Sequence, residues 1–259
     1  MRHVEESLVA GEPGRVALRT VQAVVEKAVR EVVREEISLF GASRTDSGVH
    51  ARGQVAAFTT SDDPEQISKG SGWPSERGTE PLLRAINGRL PDDVLVTGIE
   101  EVAGGFDPVG DCVGKGYSYT IHASRTRPLW DRRYVQQVWD SLDLRLMQVA
   151  AEALVGEHDF AAFAAAGHGR QTTVRRIYSC TVTDVTGAGL SSGARLRIDV
   201  SGNGFLWNMV RIIAGTLAEA GRGRLSVDDI REALSTGDRR KAGPTMPPGG
   251  LCLEWVMYK

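Results

Sequence analysis

The sequence predicts an α+β protein with a largely antiparallel sheet, built as two similar halves. Helical periodicity is confined to a few long stretches, and the strand-like stretches come mostly in hairpin-like pairs. Gly104-Gly105 supplies a joint, dividing the chain into halves at 1–104 and 105–259.

The clearest helix is T-V-Q-A-V-V-E-K-A-V-R-E-V-V-R-E (20–35). Val21, Val24, Val25, Ala28, Val29, Val32 and Val33 recur at three- and four-residue steps, with charge on the other face. Thr20 is its expected N-cap. I-S-L-F (37–40) reads as a short strand ending at Gly41, and Q-V-A-A-F-T-T (54–60) as another. Between them S-R-T-D-S-G-V-H-A (43–51) is a loop, placed where two strands can hold its side chains on a rigid frame. Residues 61–80, rich in Ser, Gly, Pro and charge, read as a disordered or exposed insertion. A helix at 81–90 and a strand at 94–102 complete the first half. In the second half, strands are expected at 116–122, 176–184, 194–201 and 251–258. Helices are expected at 143–155, around 206–220 and from Ser226 through Leu234, with His158 in a turn.

At 259 residues, 41% hydrophobic and 25% charged, the chain has the composition of a globular protein with apolar surface to bury. No apolar run approaches the roughly 20 residues that span a bilayer. The acid-bearing start, M-R-H-V-E-E-S-L-V-A-G-E, is unlike a secretory or transit segment. Cys112, Cys180 and Cys252 are odd in number and widely spaced, which fits a reducing cytoplasmic or organellar-matrix setting. Net charge is −2, yet Arg125 with Arg127, Arg132 with Arg133, Arg222 with Arg224, and Arg239-Arg240-Lys241 form local basic clusters. Such clusters are usually solvated surface; on a near-neutral protein they also suit one that grips nucleic acid in a cleft.

The chemistry concentrates at 43–51, around Arg44, Asp46 and His50. Asp46-Ser47-Gly48 has the letters of an aspartic-protease loop, but that dyad needs two such loops and a shared proton. The chain has one, and a neighbouring arginine would favour both carboxylates ionised. Asp46 and His50 could ligate a metal, but a catalytic zinc site takes three protein ligands, and His3, His122, His158 and His168 are isolated. A single anionic aspartate held by Arg44, two residues away on the same side of an extended loop, can act as nucleophile or base. A surface salt bridge capping the loop fits those residues equally well. Arg211 is more telling, because an arginine between Val210 and Ile212-Ile213 on an apolar helix is costly unless paired, and a buried aspartate is the partner it requires. Tyr117, taken alone, is a half-buried strand aromatic.

Longer runs of sequence carry a resemblance. S-R-T-D-S-G-V-H-A-R-G-Q-V (43–55) resembles G-R-T-D-x-G-V-H-A-x-G-Q-V, the signature loop of tRNA pseudouridine synthases of the TruA type. K-G-Y-S-Y (115–119), G-E-H-D-F-A-A-F (156–163), F-L-W-N-M-V-R-I-I-A-G-T-L (205–217) and K-A-G-P-T-M-P-P-G-G-L-C-L (241–253) resemble the family's later segments, in order. The resemblance implies ferredoxin-like halves with helices on one side of the sheet and a central active-site cleft. It implies an isomerase that converts uridine to pseudouridine in tRNA without a cofactor or metal. The expected uridines lie in the anticodon stem-loop, around positions 38 to 40. Asp46 would be the nucleophile, with Arg44 paired to it and holding the target nucleotide out of the stack. Tyr117 would pack on the flipped uracil, and Arg211 would reach the carboxylate or a phosphate. A homodimer is implied as well.

Two departures accompany the match. The family's first strand and loop, resembling Y-D-G-x-x-F-x-G-W-Q, have no counterpart here beyond R-V-A-L (15–18). Ser43 stands for the usual Gly and Ser47 for Ala, both small. Without the first strand, a second reading stands beside the enzyme: an RNA-binding relative, truncated or catalytically impaired.

Overall fold

The computed structural model describes residues 19–165, 171–187 and 193–259; R-V-A-L (15–18), His3 and His168 lie outside them. In chain order the elements are α1 (Val21–Val33), β1 (Phe40–Gly41), β2 (His50–Ala51), β3 (Ala56–Ala57), α2 (Pro64–Ser68) and α3 (Thr79–Asn87). They continue with β4 (Cys112–Ala123), β5 (Gln136–Val138), α4 (Leu144–Glu152), β6 (Gly156–Asp159), β7 (Val174–Asp184) and β8 (Ala194–Gly202). The last are α5 (Met209–Gly221), α6 (Val227–Thr236) and β9 (Leu251–Tyr258). By contacts these form two units. One runs to Gly41 and resumes over Ala56–Val109; the other joins Ala42–Val55 to Gly110–Lys259, so the 43–51 loop groups with the second unit.

In the first unit α1 is capped as expected, with the Thr20 hydroxyl accepting from the Ala23 amide at 3.1 Å. Its buried face (Ala28, Val29, Val33) packs with Leu82 and Ile86 of α3 over Ile37, Leu39 and Trp73. The expected strand at 37–40 shrinks to the pairing of β1 with β3. Burial still alternates there, because Ile37 and Leu39 are buried and Phe40 is exposed. Its backbone groups are satisfied by side chains of α1 instead of a ladder. Arg30 donates to the Ile37 carbonyl at 2.7 Å, Gln22 donates to the Leu39 carbonyl at 2.8 Å, and Glu26 accepts from the Leu39 amide at 2.9 Å. The strand expected at 54–60 likewise contracts to Ala56–Ala57.

The strand expected at 94–102 has no ladder among the described residues. The Asn87 side chain takes that part, donating to the Val96 carbonyl at 2.8 Å and accepting from its amide at 2.9 Å. Residues 61–80 are not a disordered insertion. They hold α2 and a 3-10 turn at Ser75–Arg77, and Trp73 is buried with its indole N–H donating to the Gly78 carbonyl at 3.0 Å. The segment also closes the end of α1, the Gly72 amide donating to the Val33 carbonyl at 2.7 Å.

The second unit is a seven-stranded sheet in the order β2-β9-β4-β8-β7-β6, with β5 also on β4. All its pairings are antiparallel except β2 with β9 and β4 with β5. The expected elements are present, with His158 inside β6 and not in a turn. Tyr119, Ile121, Ile198, Val200 and Leu253 of the sheet form one core with Met147 of α4, Ile212, Ile213 and Leu217 of α5, and Ile230 of α6. α5 is buried along almost its whole length, as its apolar sequence demands. The K-A-G-P segment lies directly on it: a Cβ at Gly215 would run into the Pro244 carbonyl. Thr216 of α5 accepts from the Gly243 amide at 2.8 Å.

Candidate active site

Asp46 opens a turn closed by the Val49 amide, which donates to the Asp46 carbonyl at 3.0 Å. Gly48, third in the turn, has φ of +86°, the left-handed value a type II turn needs there and glycine adopts freely. The ends of the loop are pinned. The Gln54 amide group donates to the Ser43 carbonyl at 2.6 Å and accepts from the Ser43 amide at 3.2 Å. The Arg52 and Gly53 amides both donate to the Leu253 carbonyl, at 2.8 and 3.2 Å. Gly53 lies so close to β9 that a Cβ would strike the Glu254 carbonyl.

A second turn leads into α5. The Met209 amide donates to the Leu206 carbonyl at 3.0 Å, and Asn208, third in this turn, sits at φ of +62°. Asparagine tolerates that backbone better than most residues. Trp207 occupies the corner, half exposed, and its indole N–H donates to Asp46 Oδ1 at 3.1 Å. One turn along, Arg211 Nη1 donates to Asp46 Oδ2 at 3.0 Å. The same nitrogen donates to Asn208 Oδ1 at 2.6 Å, and Arg211 Nε to the Met246 carbonyl at 2.7 Å. Each carboxylate oxygen therefore holds one donor, one cationic and one neutral. The Arg211 side chain is 16% exposed and that of Asp46 is 38% exposed, so the aspartate is reachable from solvent while its partner is mostly covered.

The partner expected of Arg211 is thus present, though half-buried. The pairing expected of Arg44 is not: Arg44 is exposed and makes no ion pair or hydrogen bond among the described residues. Two-residue alternation belongs to a straight strand, and here the chain bends into a turn at Asp46, whose carboxylate meets α5. Tyr117 is buried, not half-buried, with its ring edge-on to Phe205 at 5.1 Å and its hydroxyl 2.9 Å from Ser43 Oγ. Burial pushes its phenol above the usual range, against the pull of the Ser43 hydrogen bond. His50 is 2.7 Å from the Arg133 carbonyl through Nε2 and packs on Tyr134 at 4.6 Å between ring centroids.

Three residues escaped the sequence reading. Trp207 carried a signal: an aromatic with a donor N–H, one turn before an arginine on an otherwise apolar helix. Gln54 and Ser43 carried little, since their work is local, bracing the loop and meeting the Tyr117 hydroxyl. The assembled site is an anchored carboxylate with free lone pairs toward solvent, suited to attack on an electrophilic carbon or to proton removal.

Sequence comparison adds to this geometry. The model of a family described as tRNA pseudouridine synthase matches residues 150–259. The tRNA pseudouridine synthase A 2 of Clostridium perfringens is 41% identical over 239 residues, covering 92% of this chain and 90% of that protein. The tRNA pseudouridine synthase A of Citrifermentans bemidjiense is 43% identical over 242 residues, covering 93% and 89%. That of Geobacter sp. strain M21 is 42% identical over 241 residues, covering 93% and 90%.

Proposed function

This chain belongs to the tRNA pseudouridine synthase family, and on that premise we propose that Asp46 is the nucleophile of its isomerisation of uridine. The reading is carried by one observation: the Asp46 carboxylate takes a donor on each oxygen, from Arg211 and Trp207, and stays partly open to solvent. The reaction breaks the N1–C1′ bond, turns the uracil and joins C5 to C1′; the C5 proton leaves to solvent and N1 takes one up, so the atoms balance. Nothing is oxidised or reduced, so no cofactor is proposed. Asp46 attacks either the ribose C1′ or the uracil ring, stabilising the separated pieces while the base turns.

A stacked base is out of reach of such a carboxylate, so the target nucleotide leaves its stack to enter the site. Arg44, exposed two residues from Asp46 and without an internal partner among the described residues, is proposed to fill the place the base vacates or to meet its phosphate. Tyr117 flanks the site from β4. Its buried ring and raised phenol keep it a neutral hydroxyl, suited to hydrogen bonding and apolar contact with uracil. Arg211 neutralises and aims the carboxylate. The proposed substrate is the anticodon stem-loop of tRNA, around positions 38 to 40, at the junction of loop and stem, where a base leaves its stack at low cost. A homodimer is proposed with it, checked by sedimentation.

Tritium release from tRNA carrying 5-tritiated uridine tests the activity, with release expected. Binding without release would leave an RNA-binding relative that does not turn over. Mass mapping of the product locates the uridines; modification outside the anticodon stem-loop would overturn the substrate assignment.

A further inference from the structure

Residues 125–134, R-T-R-P-L-W-D-R-R-Y, form an arm that the chemistry at Asp46 does not use. It is tied down at both ends. His122, buried in β4, has Nε2 3.1 Å from the Thr126 carbonyl, and His50 has Nε2 2.7 Å from the Arg133 carbonyl while its ring packs on Tyr134. His50 is only four residues beyond Asp46, so the far end of the arm is fastened to the loop that carries the proposed nucleophile. The closing segment braces the same point, since a Cβ at Gly249 would lie 3.3 Å from the Arg133 carbonyl.

What this fixed arm presents is unusual. Trp130 is 94% exposed, with Leu129 at 67% and Tyr134 at 59% beside it. Arg125, Arg127 and Arg133 are exposed and make no ion pair or side-chain hydrogen bond among the described residues. Arg132 reaches only a carbonyl, that of Leu129 at 3.1 Å. The arm's one acid, Asp131, is taken by Arg195 at 2.6 Å. Uncompensated guanidiniums interleaved with exposed aromatic faces match a polyanion that also carries stackable rings. A protein partner would need acids opposite every arginine, whereas a nucleic-acid strand supplies a phosphate for each and a base for the indole.

We propose that the 125–134 arm grips an unpaired RNA strand flanking the target nucleotide, Trp130 stacking on a base while Arg127 and Arg133 meet phosphates. The assignment deepens the proposed function and rests on it for the identity of the RNA. The test is binding of a fluorescein-labelled, unmodified tRNA transcript, read by anisotropy across salt concentrations. Because this needs no turnover, it stands whether or not Asp46 is the nucleophile. Trp130→Ala is expected to weaken Kd about tenfold, the worth of one stacked base, with melting temperature unchanged. The Arg127→Ala/Arg133→Ala double variant is expected to lower the slope of log K against log salt by about 1.5, as two lost phosphate contacts do. In tritium release both should raise KM and leave kcat at saturating tRNA as in the wild type. Unchanged affinity and salt slope in both variants would overturn the proposal. So would loss of a dimer on sedimentation with RNA affinity retained, which would give the arm to a second copy of the chain.

Discussion

In the loop of residues 42–55, a side-chain amide braces both backbone groups of Ser43, two amides share the Leu253 carbonyl, and Gly53 rests against β9. The 125–134 arm is held at fewer points, through the Thr126 and Arg133 carbonyls, the Asp131–Arg195 ion pair and the packing of Tyr134 on His50, and leaves its arginines and Trp130 in solvent. Both loops belong to the second unit, and His50 joins them. The difference follows from what each must do. A nucleophile works only when held within a fraction of an ångström of its target, so its loop is specified from all sides. A grip on a flexible polyanion gains from charge and ring area and tolerates freedom at the tips.

That contrast can be broken experimentally, beginning with the largest expected loss. Gly53→Ala puts a methyl group into the backbone of β9 and should cost about 3 kcal/mol of stability, an overpacking effect with no flexible neighbour to give way; a denaturant midpoint like the wild type's would show that the loop is not braced there. Trp207→Phe keeps a smaller aromatic ring and removes the donor to Asp46 Oδ1. It should lower kcat about tenfold to a hundredfold, near 2 kcal/mol for one hydrogen bond to a charged group, with KM little changed; a change confined to KM would make Trp207 a binding residue. Gly48→Ala keeps the turn but forces an L side chain into the left-handed region, for about 1 kcal/mol.

The smallest effect is a pH dependence. Burial raises the phenols of both Tyr117 and Tyr119 above the usual value of 10.0. The unfolded chain therefore loses these protons first as pH rises, and stability declines from about pH 10 upward. Below that value the two groups are neutral in both states and contribute no slope. Tyr117→Phe should make the alkaline decline shallower; an identical slope would mean that Tyr117 ionises as freely folded as unfolded.

Much of the second unit was legible because its strands and helices pair with one another, so hydrophobic period and observed element coincide at β4, β7, β8, β9 and α4 to α6, while the short strands β5 and β6, only three and four residues long, carry too little pattern to be read. In the first unit the same signals overstated the ladders. At 37–40 and 94–102 the alternation reported burial, but side chains of α1 and Asn87 took the hydrogen bonds that a strand would share. Trp73 shows the converse, a buried anchor inside a stretch whose composition suggested only exposure. At the site, the need of Arg211 for an acid was readable from its apolar neighbours. That Asp46 turns toward Arg211 and away from Arg44 depends on the left-handed backbone at Gly48 and Asn208, a conformation sequence spacing does not encode.

Asp46 is the proposed reacting carboxylate, and Asp46→Asn changes that group while keeping its size. Measured by tritium release with tRNA affinity determined in parallel, this variant should release none and bind RNA nearly as the wild type does. Release at the wild-type rate by a correctly folded Asp46→Asn protein would contradict it.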